Sequence, residues 1–287
     1  VRGAAPLAGL HPYTIGSDGI TVYPRWESVV VPQDPPWSGE RFPFGIPHID
    51  TMVGGGLTAQ TTTLVAGSPG VGKTLLGLHF LSAAERAGEA ALYVGFTEDR
   101  AQLRERSRVF GLNLVEAEAT DQLRLAVLPG YDLEADRIAA FIARDIEQRG
   151  VRRLMIDSLA EVERGVADPQ RKADFLSALV MYLRNQNLTT YVTLDINSIV
   201  SPTLEFADTP LSVLAENLIV LRYAEYRNRL HRLIAVLKMR FSTYDPTVYE
   251  YTITAGRGIE PIGPAPSAVG LLTGIAQPIA GEPGLPL

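Results

Sequence analysis

Cysteine is absent from this 287-residue chain. Disulfides, zinc–thiolate sites and thiol nucleophiles are thereby excluded. The four histidines (His11, His48, His79 and His231) are scattered without metal-ligand spacing. No run of 18 or more apolar residues occurs, so no membrane span is expected. No signal peptide opens the sequence either, and a cytoplasmic location is expected. Positive charge is scarce: 26 Lys and Arg stand against 32 Asp and Glu, a net charge of −6. Binding to a phosphate backbone without sequence preference usually needs a basic surface, so nucleic acid is not an expected partner. What remains is ordinary for a globular protein, with 46% hydrophobic and 20% charged residues. The first residue is Val rather than Met, and a longer parent chain is expected.

Residues 1–40 are rich in Gly and Pro. They read as two short strands, near Tyr13–Ile15 and Ile20–Tyr23, followed by a linker. From Arg41 to about Ile262, apolar runs of strand length alternate with amphipathic helical stretches, the pattern of a mostly parallel sheet flanked by crossover helices. Strands are expected at Thr61–Ala66, Ala90–Gly95, Leu123–Val127, Arg153–Ile156 and Thr189–Leu194. Helices are expected to begin near Lys73, Arg100, Glu134 and Gln170. The strands are apolar on both faces, as strands covered by helices should be. After Ala207 the alternation stops. Asn217–Tyr223, Leu230–Met239 and Val248–Thr254 read as consecutive strands joined by turns, adding antiparallel strands at the sheet edge. Residues 263–287 carry repeated Pro and Gly with few charges, and disorder is expected there.

One internal similarity stands out. Arg240, Tyr251-Thr252-Ile253 and Gly258-Ile259 parallel Arg2, Tyr13-Thr14-Ile15 and Gly19-Ile20. Arg and Tyr are separated by 11 positions in both, and Tyr and Gly by 7 and 6. Tyr-Thr-Ile is a common strand tripeptide, so coincidence would explain so short a match. The alternative is that residues 1–25 end an upstream copy of the same domain.

The chemistry is concentrated in Gly67-Ser68-Pro69-Gly70-Val71-Gly72-Lys73-Thr74, which fills every position of G-x-x-x-x-G-K-[ST]. It follows an expected strand and opens an expected helix, the context the motif requires. Such a loop curls backbone N–H groups around phosphates at a helix N-terminus. Lys73 should reach the β- and γ-phosphates of ATP, and the Thr74 hydroxyl should bind Mg²⁺. Leu154-Met155-Ile156-Asp157 is an apolar strand ending in an acid, at the sheet end where ligands bind. Asp157 can hold Mg²⁺ through water, as a Walker B acid does; without the loop it would read as a helix cap. Glu98 leaves the strand Ala90–Gly95 at its carboxyl end and is the candidate to polarise the attacking water. Glu98 and Asp99 also suit the start of the next helix, where acids favour the dipole. Lys238 and Arg240 share one face of a strand. From spacing alone they read as a solvated face.

The run Phe44-Gly45-Ile46-Pro47-His48-Ile49-Asp50, then Gly54-Gly55-Gly56-Leu57, then Gly67–Thr74, resembles the opening of KaiC-family ATPases in the RecA-like superfamily. Ile156-Asp157-Ser158-Leu159 and Leu237-Lys238-Met239-Arg240 continue the likeness, which covers about 41–262. The phosphate loop is shared by many NTPases, whereas Gly-Ile-Pro together with Lys-Met-Arg is far more specific. The resemblance implies a RecA-like α/β fold and a hexameric ring with ATP between subunits. It also implies that Lys238 and Arg240 point at ATP held by the neighbour, reversing the reading from spacing. Family members carry paired acids after the second strand; here the pair is Thr97 and Glu98, which weakens the expectation of efficient hydrolysis. A Ser-Thr phosphorylation pair corresponds to Ser212-Val213, leaving Ser212 as the one acceptor for a serine autokinase. Regulatory protein partners are compatible with the resemblance. Two other functions remain open. A RecA- or DnaB-like DNA motor would need a cationic channel loop, yet Ser198–Pro210 carries Glu205 and Asp208 and no Lys or Arg. A nucleotide-gated scaffold with little turnover would account for Thr97.

Overall fold

A computed structural model describes residues 7, 9–131, 134–196, 214–226, 228–265, 268–269 and 277–278. The chain opens with a hairpin of β1 (Tyr13–Gly16) and β2 (Gly19–Val22) and one helical turn, α1 (Trp26–Val29). A short antiparallel pair, β3 (Arg41–Phe42) with β4 (Leu57–Thr58), brackets α2 (Pro47–Met52). Pro47 sits in the first turn of α2, where its missing N–H costs nothing. Asp50 reaches back from α2 to accept from the N–H groups of Phe44 (2.6 Å) and Gly45 (3.1 Å), locking the Gly-Ile-Pro segment.

The main sheet then forms in βα units: β5 (Thr62–Gly67), α3 (Lys73–Ala87), β6 (Ala90–Gly95), α4 (Arg100–Val109), α5 (Leu114–Ala119), β7 (Leu123–Val127), α6 (Ala135–Arg149), β8 (Val151–Asp157), α7 (Leu159–Arg164), α8 (Lys172–Asn185) and β9 (Thr189–Asp195). Strands β10 (Asn217–Tyr226), β11 (Arg229–Met239), β12 (Tyr249–Thr254) and β13 (Gly258–Pro264) complete it. The sheet has nine strands in the order β13-β12-β11-β10-β5-β9-β8-β6-β7. The six from β10 to β7 are parallel, and β11, β12 and β13 are antiparallel. This is the mostly parallel sheet with antiparallel C-terminal strands that the sequence pattern predicts, and it has the RecA-like architecture that the family resemblance implies.

Both sheet faces are covered, so the parallel strands are buried on both sides along most of their length. One core joins Val65, Tyr93, Met155 and Tyr191 to α2, α3, α4 and α5. The other joins Leu64, Leu92, Ile156 and Val192 to α6, α7 and α8. Among the described residues, no helix is long and apolar enough to cross a membrane.

Three findings differ from the sequence reading. The sequence pattern places Asn217–Tyr223 with the antiparallel edge, but β10 lies inside the sheet, parallel to β5. The stretch expected to be linker is docked at Trp26. Its ring meets Tyr182 at 5.1 Å, and its backbone N–H donates to buried Asp136 at 2.9 Å. Arg171 joins Asp136 (3.0 Å) to Glu27 (2.8 Å) in the same cluster. Finally, β13 runs to Pro264, and residues 268–269 pair with 277–278; the rest of 263–287 lies outside the described residues except Ala265.

Candidate functional site

The phosphate-loop motif occupies the tight connection from β5 to α3. Ser68 and Val71 are fully buried, and Gly70 and Gly72 have φ of +76° and +114°. At Gly72, the N-cap of α3, a Cβ would lie 3.0 Å from Ile253 Cδ1 in a backbone conformation that L side chains rarely adopt. Three tyrosine hydroxyls from three strands bind carbonyls of this segment: Tyr223 holds Gly70 O (2.8 Å), Tyr251 holds Val71 O (2.6 Å) and Tyr191 holds Lys73 O (2.7 Å). Burial raises the pKa of Tyr191 and Tyr251 far above the usual phenol range, so both remain donors. These three hydrogen bonds tie the loop backbone to three strands of the sheet.

Lys73 is buried at the start of α3. Its ammonium donates to Gly67 O (2.9 Å) and Ser68 O (3.0 Å) and pairs with Asp195 Oδ1 (2.7 Å). The Thr74 hydroxyl donates to Asp157 Oδ2 at 2.8 Å, across from β8. Asp157 also accepts from Thr193 at 2.5 Å and Tyr93 at 3.4 Å, so hydroxyls surround its carboxylate. A cavity of about 240 Å³ opens beside this pair, lined by Gly70, Lys73, Thr74, Glu98, Arg106 and Phe110 among others.

Glu98 enters this cavity from beyond the end of β6. Arg106 of α4 binds its Oε1 at 2.6 Å, while Oε2 is buried without a hydrogen-bond partner among the described residues. Burial raises the Glu98 pKa, the Arg106 charge opposes this, and the Asp157 charge adds to it. Asp99 is committed elsewhere: it caps α4 in a reciprocal box with Gln102, accepting at 2.8 Å and receiving a carboxamide oxygen on its own N–H at 2.9 Å.

The structure therefore brings Ser68, Pro69, Gly70, Val71, Gly72, Lys73, Thr74, Asp157 and Glu98 to one end of the sheet. It does not bring Lys238 and Arg240 there. Lys238 pairs in register with Leu218, and Leu218 with Leu64, three residues before the loop. Its ammonium donates to Ala215 O at 2.6 Å, and burial and Arg240 lower its pKa. Arg240 is exposed just past the end of β11. Along this stretch β12 has already left β11, having paired with it only over Arg232–Ile234. Ser212 and the loop Ser198–Pro210 lie outside the described residues. Sequence reading missed the three tyrosines, Arg106 and Asp195, because their roles depend on long-range pairing.

The donors present fit a magnesium–polyphosphate group. Mg²⁺ bound alongside phosphates takes one or two carboxylates and hard oxygens from the protein, and Thr74 with Asp157 supplies that set. Among the described residues no group of three or more His, Cys, Asp or Glu could hold a metal, so a closed all-protein cage is absent there.

The loop between β5 and α3, with Asp157 at the carboxyl end of β8, defines a P-loop protein of the RecA-like class. The family model described as "ATPase: KaiC" matches residues 42–265, and the chain belongs to that family. It is 29% identical over 256 residues to the circadian clock oscillator protein KaiC of Picosynechococcus sp., covering 89% of this chain and 49% of that protein. It is 28% identical over 254 residues to KaiC 1 of Synechocystis sp., covering 88% and 48%. The chain thus spans about half the length of the curated relatives it matches.

Proposed function

We propose that this chain binds Mg²⁺-ATP at Ser68–Thr74 and hydrolyses it in a site shared between copies of itself. The observation that carries the reading is the 2.8 Å contact of Thr74 with Asp157, beside a buried Lys73 and in the cavity that Glu98 enters. The loop N–H groups and Lys73 hold the phosphates, while Thr74 and Asp157 (through water) hold Mg²⁺, which supplies charge neutralisation when bound. Glu98 accepts a proton from the water that attacks the terminal phosphorus as the bond to ADP breaks. Lys238 and Arg240 serve the site of a neighbouring subunit in a homo-oligomer, and the family resemblance supports a hexamer as its size. Their position at the other end of the sheet from their own loop supports this assignment. Lys73→Ala is expected to bring steady-state phosphate release to background; undiminished release would refute the ATPase reading.

Three extensions follow. Ser212 is the proposed acceptor of autophosphorylation, and an unchanged intact mass after incubation with ATP removes it. Thr97, with Arg106 on Glu98, favours a second reading, a nucleotide-gated scaffold with slow turnover. Tight nucleotide retention with negligible phosphate release would select it. Residues 1–25 are read as the end of a preceding copy of this domain. Ile15 pairs with Ile20 in the first hairpin as Ile253 pairs with Ile259 in β12–β13, and Tyr13, Ile15 and Ile20 are exposed. On this reading, joining a preceding copy of the domain to residue 1 should slow amide exchange in this hairpin; exchange as fast as in residues 1–287 alone would remove the reading.

A further inference from the structure

Asp195 has no assigned role, yet it touches the most consequential cation in the molecule. It ends β9, in register with Gly67, the last residue of β5. The N–H of Ile196 donates to Gly67 O at 3.0 Å, fixing the Asp195 backbone against the start of the phosphate loop. Its Oδ1 then stands 2.7 Å from Lys73 Nζ.

An ammonium has three protons to donate. Lys73 places its donors on two loop carbonyls and the Asp195 carboxylate. A phosphate oxygen approaching Lys73 must replace one of these acceptors. Gly67 O and Ser68 O belong to the backbone of the loop, and Ser68 is fully buried. The Asp195 side chain is 48% exposed, against 8% for Lys73, and can swing into solvent. Displacing it has two costs: a charge-assisted bond is lost, and a carboxylate is left beside a polyphosphate of like charge.

We propose that Asp195 is an internal competitor for Lys73, occupying the lysine in place of phosphate and thereby weakening nucleotide binding. This rests on the assignment of the site to ATP. The competition acts on the polyphosphate chain and is indifferent to the base.

The test is fluorescence titration of the whole chain with N-methylanthraniloyl-ATP and with the corresponding adenosine, in Mg²⁺, for wild type, Asp195→Asn and Asp195→Ser. Half exposure of the side chain makes both variants compatible with folding, checked by circular dichroism. Both variants should bind the ATP probe about tenfold more tightly than wild type, equivalent to about 1.4 kcal/mol. The gap should narrow as salt rises, because exposed charge is screened. The adenosine probe should show no gap. Equal or weaker ATP binding by the variants, with wild type binding normally, overturns the proposal; weaker binding would make Asp195 a support of the bound group instead. Absence of binding by all three proteins refutes the nucleotide assignment itself, and this proposal with it.

Discussion

At the scale of single residues, Glu98 carries the sharpest consequence. Its carboxylate must be ionised to take a proton from water. Burial is the largest influence on it and raises its pKa, with Asp157 and Asp99 acting in the same direction, while Arg106 lowers it. Because the net direction is upward, the acid limb of kcat should lie at higher pH than for an ordinary carboxylate and should fall away as Glu98 takes up its proton. Arg106→Ala removes the stabilising charge, so this limb should move to higher pH still; a limb that stays in place would separate Arg106 from the chemistry. Glu98→Gln should lower kcat by roughly 10²–10⁴, the usual worth of a general base, with a much smaller effect on KM. A rate near wild type would dismiss Glu98 as the base. Glu98 and Lys73 were legible in the sequence because each sits at a fixed offset from a strand end. Arg106 was not, since nothing in a polar helix face reveals which cation turns toward a cavity. Nor was Tyr251, whose contact with Val71 spans 180 positions and depends on how β12 meets the phosphate loop.

At the scale of elements, the βα units were legible because strands buried under helices on both faces read as short apolar runs, and β6 and β7 match their expected limits. The place of β10 was not legible. In the sequence the strand–helix alternation stops after Ala207, so Asn217–Tyr223 reads together with the strand runs that follow it. One buried contact ties the β12–β13 hairpin to α3: the Ile259 N–H donates to Nε2 of His79 at 3.2 Å. Burial, and secondarily the charge of Arg86, lowers the His79 pKa from 6.5 to about 4. The folded state thus binds a proton less readily than the unfolded state. The contribution is complete above about pH 6.5 and is lost as pH falls toward about 4, at most about 3 kcal/mol. Denaturant midpoints at pH 7.5 and 5 should therefore differ more for wild type than for His79→Gln, which keeps an acceptor but cannot titrate. Identical pH dependence in the two proteins would show that His79 is not the titrating group.

At the scale of the whole molecule, the two halves of the proposed chemistry lie at different ends of one sheet. The phosphate loop, Asp157 and Glu98 gather at the carboxyl ends of the parallel strands, whereas Lys238 pairs with a residue three positions back along β10 from the one that meets Gly67. At about 3.3 Å per residue this offset is about 10 Å along the strands, before the lateral distance across the sheet is counted. On the proposed assignment the cations come instead from a head-to-tail neighbour, a contact whose repetition gives a ring when its rotation closes and a filament when it does not. Solution mass with ATP should approach six subunits, as the family resemblance implies. Mixing makes the stronger test. Lys73→Ala disables the loop a subunit owns, while Arg240→Ala disables the cation it lends, and each alone should lose on the order of 10³-fold or more in rate. In a ring assembled from an equal mixture, some contacts join an intact loop to an intact cation. About a quarter of sites should be whole by random assortment, so the mixture should regain about a quarter of wild-type activity once subunits exchange. A mixture no more active than its components would confine each site to one chain and return Lys238 and Arg240 to the solvated strand face that their spacing alone describes.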